Sequence, residues 1–578
     1  MKDSLKKRGQ KFIRRFSRAS QKAGENGKEH IKTNFLERFS HIKDIRLLVL
    51  EWILLVSALI LIAITQAFWF KDSYSEQSFS RGGTYTEATL GKVNSLNPLF
   101  ATTSSEKTLS RLMFATISEI DYSGHPGLGL ANSITSDDSG KIWTVKLRDG
   151  LKWSDGESLT NEDVIFTVNL IKNSNVSSIY DSNLTSVKVS ESEKGEIIFT
   201  LPAAYADFIS ALNIPVVPKH ILENADPKTL IEDAFSTAPV TSGPFTFNAT
   251  QTISAEGEKV VYLSSNPYYY KGATLLSGFA VHAFADKANI ISALNSGSIT
   301  ATAELTHTDS SQIISRQIYE KNASLSSGAF AFFNTSRPYI KNRSIRNAIR
   351  QGINVSEIRD IASDTTPLDY PLASSQISLE NYPTIPSYDT NTARDDLANL
   401  LEGETPTLNI ATVSYSYLPV VADSVAEQLR ALGLNAEVSI YEENQEFITN
   451  IISNRNYDIL IYEIELGADP DLLPYYHSSQ ATSAGLNLSN YKNSMVDDLL
   501  LGARATLDDE LRIAKYESFL DYWVDDVPAI GLYQSNLNYY YNKNTRALSE
   551  DTHLVTPLDR FSNITTWSVV KNTLNLTP

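Results

Sequence analysis

The side chains that could carry out catalysis form no familiar catalytic motif in this sequence. It contains neither Gly-x-Ser-x-Gly, which would place a serine nucleophile, nor His-Glu-x-x-His, which would bind a catalytic zinc ion. No cysteine is present, so disulfides, thiolate metal sites and a cysteine nucleophile are excluded. The eight histidines include no pair at i, i+4, although a triad assembled in three dimensions stays possible. The sequence predicts a protein that is not an enzyme and needs no cofactor.

Charge is divided unevenly along the chain and limits the possible partners. The net charge is −17, yet residues 1–46 carry 14 Lys and Arg against 5 Asp and Glu, which leaves the rest at about −26. Such an acidic body repels phosphates, so nucleic acid is excluded as a partner.

An uninterrupted apolar segment follows the basic region. Residues 47–70 read LLVLEWILLVSALILIAITQAFWF, and the 19 residues from Trp52 onward carry no charge. About 20 apolar residues span a bilayer as a helix. The basic flank predicts a cytoplasmic N-terminus, a single-pass anchor at 47–70 in the cell membrane, a polar tether at 71–80 and an extracytoplasmic body. A cleaved signal peptide is the competing interpretation, but its apolar region is about 7–15 residues long.

The exported body shows alternating strand and helix patterns. Residues 141–148 alternate in the manner of a half-buried strand, a turn follows at 150–156, and Thr160 caps a predicted helix that ends near Ile171. Residues 408–413 and 436–441 are predicted strands separated by a helix that ends at Gly433. That βαβ unit implies parallel strands, so the fold class is α/β.

The exported body contains several short motifs in a set order. The most specific is the run WTVKLRDGLKWSDGESLTNEDVIFTV at 143–168. The others are Gly82-Gly83-Thr84-Tyr85, Ser95-Leu96-Asn97-Pro98, Ser242-Gly243-Pro244-Phe245, Asn266-Pro267-Tyr268-Tyr269-Tyr270-Lys271-Gly272, Phe332-Phe333-Asn334-Thr335, Ala468-Asp469-Pro470-Asp471 and YKNSMVDDLLLGA at 491–503. Taken in order, these segments resemble the extracytoplasmic solute-binding proteins of oligopeptide, dipeptide and nickel ABC importers (solute-binding protein family 5).

This resemblance implies a two-lobed, periplasmic-binding-protein-like (type II) clamshell with an extra subdomain. It places lobe 1 at 81–109, 222–325 and 545–578, the extra subdomain at 110–221 and lobe 2 at 326–544. The implied function is to bind short peptides by hinge closure and to deliver them to ABC permease subunits. The alternatives are a peptide sensor or surface-binding protein without transport, and a binder of a non-peptide solute such as a nickel chelate. Direct metal ligation is not expected, because no ligand cluster is visible.

The resemblance also implies ligand-binding residues. In relatives, an acid three residues before the position of Asp469 pairs with the peptide amine, and here that position is Leu466. Glu465 takes over this role if the strand shifts by one residue, and Glu463 then shares its face. Asp469 is a further candidate, although its position before proline is typical of a turn. Asn334 either contacts ligand or anchors its strand. Tyr85 and Asn97 either line the floor of the cleft or pack at a strand and a turn.

Overall fold

The computed structural model describes residues 46–78, 81–180, 184–253, 258–373, 375–548 and 552–574. Apart from Arg46, the predicted cytoplasmic tail at 1–46 lies outside the described residues. The chain divides into two compact units, Met1–Ser78 with Lys571–Pro578, and Phe79–Val570.

The strands are numbered along the chain. They are β1 (Ser75–Ser78), β2 (Thr84–Leu90), β3 (Ser118–Ile120), β4 (Pro126–Leu128), β5 (Ala131–Ser136), β6 (Ile142–Leu147), β7 (Lys188–Glu191), β8 (Ile197–Thr200), β9 (Phe245–Thr252), β10 (Lys259–Ser265), β11 (Gly278–Phe284), β12 (Ala301–Thr302), β13 (Ile318–Phe333), β14 (Thr366–Pro367), β15 (Thr407–Val413), β16 (Asn435–Tyr441), β17 (Ile459–Glu465), β18 (Ala529–Asn542), β19 (Thr545–Arg546), β20 (Ser568–Val569) and β21 (Lys571–Leu574).

The α-helices are numbered in the same way. They are α1 (Arg46–Tyr74), α2 (Ser104–Met113), α3 (Asn161–Ile171), α4 (Phe208–Ala211), α5 (Lys219–Leu222), α6 (Lys287–Ser296), α7 (Arg343–Gly352), α8 (Val355–Ile361), α9 (Thr390–Leu400), α10 (Leu418–Ala431), α11 (Gln445–Phe447), α12 (Leu473–Tyr476), α13 (Ser494–Ala505) and α14 (Asp509–Asp526).

The first unit contains the segment predicted to be the anchor. Residues 47–70 fall within α1, whose sequence has no Gly or Pro to interrupt it. The side chains of residues 47–49 and 67–70 lie outside the described part, and within that part no helix is long and apolar enough to cross a membrane. In the predicted tether, residues 71–74 continue α1 and 75–78 form β1, which pairs antiparallel with β21. Residues 79–80 lie outside the described residues.

The second unit is organised around an eleven-stranded sheet. Its order is β16-β15-β17-β13-β18-β12-β2-β11-β10-β9, and β14 pairs with β18 off that path. The two longest strands, β13 and β18, lie side by side and antiparallel in the middle of this order. They therefore join the half of the sheet that contains β15–β17 to the half that contains β2 and β9–β12.

A separate four-stranded sheet lies earlier in the chain, with the order β5-β6-β8-β7. β6 buries Trp143 and Val145 on alternate positions, which confirms the predicted half-buried strand. α3 begins after Thr160, and a capping box joins Thr160 and Asp163. The predicted strand, turn and helix are therefore confirmed.

The predicted βαβ unit is also confirmed. β15 and β16 pair in parallel, and α10 connects them. α10 buries Val421, Val425 and Leu429 at helical spacing, and Gly433 follows at φ 91°, a left-handed backbone that favours glycine. The apolar face of α10 thus covers the parallel strands.

A fully buried ion pair ties distant parts of the second unit together. Arg560 lies in the 3₁₀ segment Pro557–Thr566, and its Nε and Nη2 donate to Glu87 Oε1 on β2 at 2.9 and 2.5 Å. The Tyr539 hydroxyl on β18 donates to Glu87 Oε2 at 3.0 Å and lies 2.6 Å from the Tyr85 hydroxyl. Burial, followed by the charge of Glu87, raises the pKa of Tyr85. Both tyrosines therefore remain neutral hydrogen-bonding groups.

We predict that Glu87→Gln strongly destabilises the protein. The substitution leaves the buried Arg560 guanidinium without its ion-pair partner, and breaking a buried pair in this way costs about 3–5 kcal/mol. Urea unfolding of the purified variant measures the loss. Glu162→Gln is the matched control, because the Glu162–Lys219 pair at 2.6 Å is solvent-exposed and its loss should change stability little. Equal effects of the two substitutions would contradict the prediction.

Candidate functional site

The end of β17 carries the two predicted acidic residues. Glu463 lies opposite Ala329 on β13. Its Oε1 accepts from Ser327 Oγ at 2.7 Å and its Oε2 from Ser535 Oγ at 2.8 Å. Burial raises the pKa of Glu463 despite both hydroxyls, and the nearby charges of other glutamates raise it further. This carboxyl is held by serines and lacks a cationic partner among the described residues.

Glu465 is exposed at the last position of β17. Its charge contributes to the raised pKa of Glu463, as expected for alternate residues that share one face of a strand. Leu466 points the other way, since it is 4% exposed and belongs to the hydrophobic core around β13. The position at which relatives are expected to carry an amine-binding acid is therefore a core position here. The acidic side chains of this strand end are Glu463 and Glu465.

Asp469 is placed in an ion pair rather than on a free surface. Its carboxylate pairs with Arg512, and the neighbouring Asp471 pairs with Arg504. Burial nevertheless raises the pKa of Asp469. Since Arg512 already neutralises this carboxylate, the structure gives Asp469 a role in anchoring the loop after β17.

Asn334 is buried at the end of β13 and fixes backbone. Its Nδ2 donates to the carbonyls of Arg455 and Tyr457, both at 3.0 Å, and its Oδ1 accepts from Ser336. It also borders a polar surface cavity of about 580 Å³. The hydrogen bonds match the anchoring alternative, and a ligand contact stays a prediction.

Tyr85 and Asn97 are placed in the packed interior. Both are 0% exposed, so neither side chain presents a surface to solvent in this conformation. Asn97 Oδ1 accepts from the Leu99 N–H at 3.1 Å and caps the 3₁₀ segment Pro98–Phe100. Its Nδ2 is buried without a partner in the described residues. The structure does not bring these two residues together with Glu463 and Glu465 through any described contact.

One group of side chains in the described residues could hold a metal ion, and the sequence spacing did not reveal it. His307 Nδ1 lies 3.2 Å from Glu320 Oε1 and 2.7 Å from Asp364 Oδ2, and the three ligand atoms lie within 4.8 Å of one another. Nitrogen and carboxylate oxygen donors suit zinc or nickel. Both carboxylates approach the same ring nitrogen, and the contact between His307 and Glu320 is a hydrogen bond.

A further buried acid, Asp207, lies close enough to the loop after β17 to be affected by its charges. Asp207 precedes α4 and accepts from Ser210 Oγ at 2.6 Å. Burial and then the charge of Asp469 raise its pKa to about 8. Close by, the Ala206 N–H donates to the Arg504 carbonyl at 2.8 Å, and the Arg504 guanidinium lies over the Tyr205 ring at 5.1 Å. Since burial and a neighbouring negative charge both disfavour the ionised carboxyl, Asp207 is mainly neutral in the folded chain below about pH 8.

We predict that Asp207→Asn removes a pH-dependent loss of stability. In the unfolded chain the pKa of Asp207 is about 4, whereas in the folded chain it is about 8. The unfolded state is therefore increasingly favoured as pH rises between these values. The side-chain amide oxygen of the variant still accepts from Ser210, so the variant should be more stable than wild type at pH 8, with the difference shrinking towards pH 4.5.

Urea unfolding of both proteins at several pH values measures this effect. Asp138→Asn is the control, because Asp138 is exposed. A stability difference for Asp207→Asn that stays the same at pH 4.5 and pH 8 would show that Asp207 is already ionised in the folded state.

Comparison with known proteins agrees with this architecture. The profile of the bacterial extracellular solute-binding proteins, family 5 (middle region), matches residues 125–485. The oligopeptide-binding protein AppA of Bacillus subtilis is 24% identical over 480 residues, which cover 79% of this chain and 87% of AppA.

Solved structures share the fold. AppA of Bacillus subtilis in complex with a nonapeptide matches with a TM-score of 0.68 at 22% identity, over 86% of this chain and 100% of that one. NikZ from Campylobacter jejuni in complex with Ni(L-His) gives 0.69 at 22% identity, over 84% and 99%. The predicted α/β fold of a two-lobed binding protein is thereby confirmed. Since the profile covers more than half of the chain, the protein belongs to the bacterial extracellular solute-binding proteins of family 5.

Proposed function

We propose that this protein binds short peptides between two lobes and delivers them to the permease of an ABC importer. The observation that supports this function most is an open strand edge beside two carboxylates. β17 pairs with β13 from Ile459 to Glu465, whereas β15 accompanies β17 only at Ile459 and Leu460. Beyond Leu460, one edge of β17 therefore has no neighbouring strand among the described residues.

The alternation of backbone hydrogen bonds along β17 identifies the residues whose N–H and carbonyl groups face that edge. The Leu466 N–H donates to the Ser326 carbonyl at 2.8 Å, so Leu466 and its alternate neighbours direct their backbone groups at β13. Ile461, Glu463 and Glu465 then direct theirs to the open side. An extended peptide can add there as a further strand, and such main-chain pairing accepts peptides of any sequence.

Side chains occupy part of this edge without closing it. The Thr412 hydroxyl donates to the Ile461 carbonyl at 2.9 Å, and the Tyr475 hydroxyl donates to the Glu465 carbonyl. The backbone N–H and carbonyl of Glu463 lie between these two contacts. A ligand backbone would therefore meet Glu463 first.

The lobe boundaries expected from the family fall within β13, at 325/326, and just after β18, at 544/545. Lobe 1 would comprise 81–109, 222–325 and 545–578, lobe 2 would comprise 326–544, and 110–221 would form the extra subdomain. The pairing of β13 with β18 is irregular between Ser324 and Gly328, beside the proposed boundary at 325. An irregular ladder has fewer hydrogen bonds to break on bending, which supports hinge motion at this point.

Residues 47–70 are proposed to anchor the protein in the membrane, with residues 1–46 in the cytoplasm. Support comes from the charge-free run in the sequence and from the exposed apolar side chains of α1, which are Leu50, Trp52, Ile53, Leu54, Leu55, Val56, Leu59, Ile60, Leu61, Ile62 and Ile64. An anchor would keep a binding protein beside its permease.

The peptide function predicts that short peptides stabilise the protein against unfolding. A ligand present at 100 times its dissociation constant stabilises by about 2.7 kcal/mol, which a thermal-shift assay of the full-length protein in detergent detects. The same peptides with N-methylated backbones should lose most of the shift, because they cannot pair with the edge of β17. Stabilisation by sugars, free amino acids or nickel chelates but by no peptide would overturn the assignment.

The anchor predicts a change in location on deletion. Full-length protein should remain with membranes after alkaline carbonate extraction. A variant in which a cleavable export signal replaces residues 1–70 should be released in soluble form. Release of the full-length protein by carbonate, or retention of the variant, would contradict a membrane-spanning role for residues 47–70.

A further inference from the structure

Four carboxylates from three segments lie close enough for their charges to act on Tyr415 or on one another, and we call them the acidic cleft: Glu304, Glu443, Glu463 and Glu465. Glu304 follows β12, Glu443 follows β16, and the other two lie on β17. Tyr415 lies among them, since burial and then the charges of Glu463, Glu304 and Glu443 raise its pKa. Tyr415 is also 54% exposed. Tyr415 therefore lines a cleft, because other residues surround its side chain and solvent still reaches it.

The charges of the acidic cleft are not compensated by cations of the described chain. Among the described residues, none of the four carboxylates forms an ion pair with Lys, Arg or His. Arg560 acts on Glu304 from a distance, but its guanidinium is already paired with Glu87. The partners present are hydroxyls, from Ser104 to Glu304 and from Tyr462 to Glu443. Uncompensated carboxylates in a cleft are unfavourable until a cation enters.

A buried hydroxyl provides a second, independent observation. Tyr533 is 1% exposed, and its hydroxyl has no hydrogen-bond partner in the described residues. Ala329 on β13 pairs with Glu463 on one side and with Tyr533 on the other. The three residues therefore form one row across three strands, and residues in a row share a face of the sheet. The unused hydroxyl lies on the face that carries the Glu463 carboxyl.

Aromatic rings complete the surroundings. Tyr415 lies close enough to Glu463 for the charge of the carboxylate to raise the pKa of the tyrosine, and Glu465 similarly raises the pKa of Tyr475. The faces of tyrosine rings attract Lys and Arg side chains. Carboxylates and aromatic faces together match a cationic group that carries an aliphatic stem.

We propose that the acidic cleft takes the cationic side chain of a peptide, so that this protein selects peptides containing Lys or Arg. This inference rests on the proposed peptide function. Alternate side chains of a peptide paired with β17 point to the same face, so a cationic residue at the correct position faces the carboxylates. The peptide amine offers similar chemistry, and the test separates the two sources.

The test compares N-acetylated pentapeptides that differ only at the central residue, Lys, norleucine or Glu. Isothermal titration calorimetry on the full-length protein in detergent measures each affinity. The Lys peptide should bind about 10- to 100-fold more tightly than the norleucine peptide, as expected for charge-assisted hydrogen bonds. The Glu peptide should bind most weakly, and added salt should reduce the preference for Lys.

Variants of the cleft should remove the preference without removing peptide binding. Glu443→Gln and Glu304→Gln should each lower the Lys-to-norleucine affinity ratio several-fold, while affinity for the norleucine peptide changes little. Glu442→Gln is the matched control, because Glu442 is an exposed acid adjacent to Glu443. It should leave the ratio unchanged.

The outcomes distinguish a failure of this inference from a failure of the proposed peptide function. Equal affinity for the Lys and norleucine peptides would overturn the inference and leave peptide binding intact. Binding that requires a free N-terminus and ignores the central residue would show that the cleft reads the peptide amine, which also overturns it. Absence of binding by every peptide, free or acetylated, would overturn the proposed function and this inference together.

Discussion

The antiparallel pairing of β13 with β18 determines where the residues of the candidate site lie. β13 contacts β17 on its other edge, so one register fixes Glu463, Ala329 and Tyr533 in a row. A slip of one residue would turn the acidic face of β17 into the core and expose its apolar face. The register is strongly specified because Ile464 and Leu466 pack into the core. The apolar side chains of β17 therefore hold its acidic side chains in place.

Buried and half-buried acids in this protein have two different environments. Glu87, Asp469 and Asp471 each pair with an arginine from a distant segment, and these pairs fasten elements to one another. Glu304 and Glu463 accept only hydroxyl or backbone hydrogen bonds in the described residues, and burial raises the pKa of both. The first environment is complete without a ligand. The second leaves either a negative charge that an incoming cation would compensate or a proton that the cation would displace.

The sequence was most informative where the signal is local. The cap at Thr160, the alternation of β6 and the parallel strands β15 and β16 depend on neighbouring residues, and the structure has them as predicted. Glu463 and Glu465 could be placed on one strand end for the same reason. Glu304, Glu443, Tyr415 and Tyr533 could not be found, because four separate segments bring them together and no spacing links them. For Tyr85 and Asn97 the family pattern left both the floor of the cleft and ordinary packing open, and the structure buries both side chains.

Affinity and selectivity would then depend on different atoms of the same residue. The backbone of Glu463 lies on the open edge of β17, where pairing depends only on the peptide main chain. The carboxyl of Glu463 lies on a face of the sheet, where it would contact a side chain of the peptide and not its main chain. Serine hydroxyls hold that carboxyl without neutralising it, so its position is fixed while its charge stays available. A binding protein can in this way accept many peptides and still rank them by charge, because changing the side-chain pocket leaves the strand edge intact.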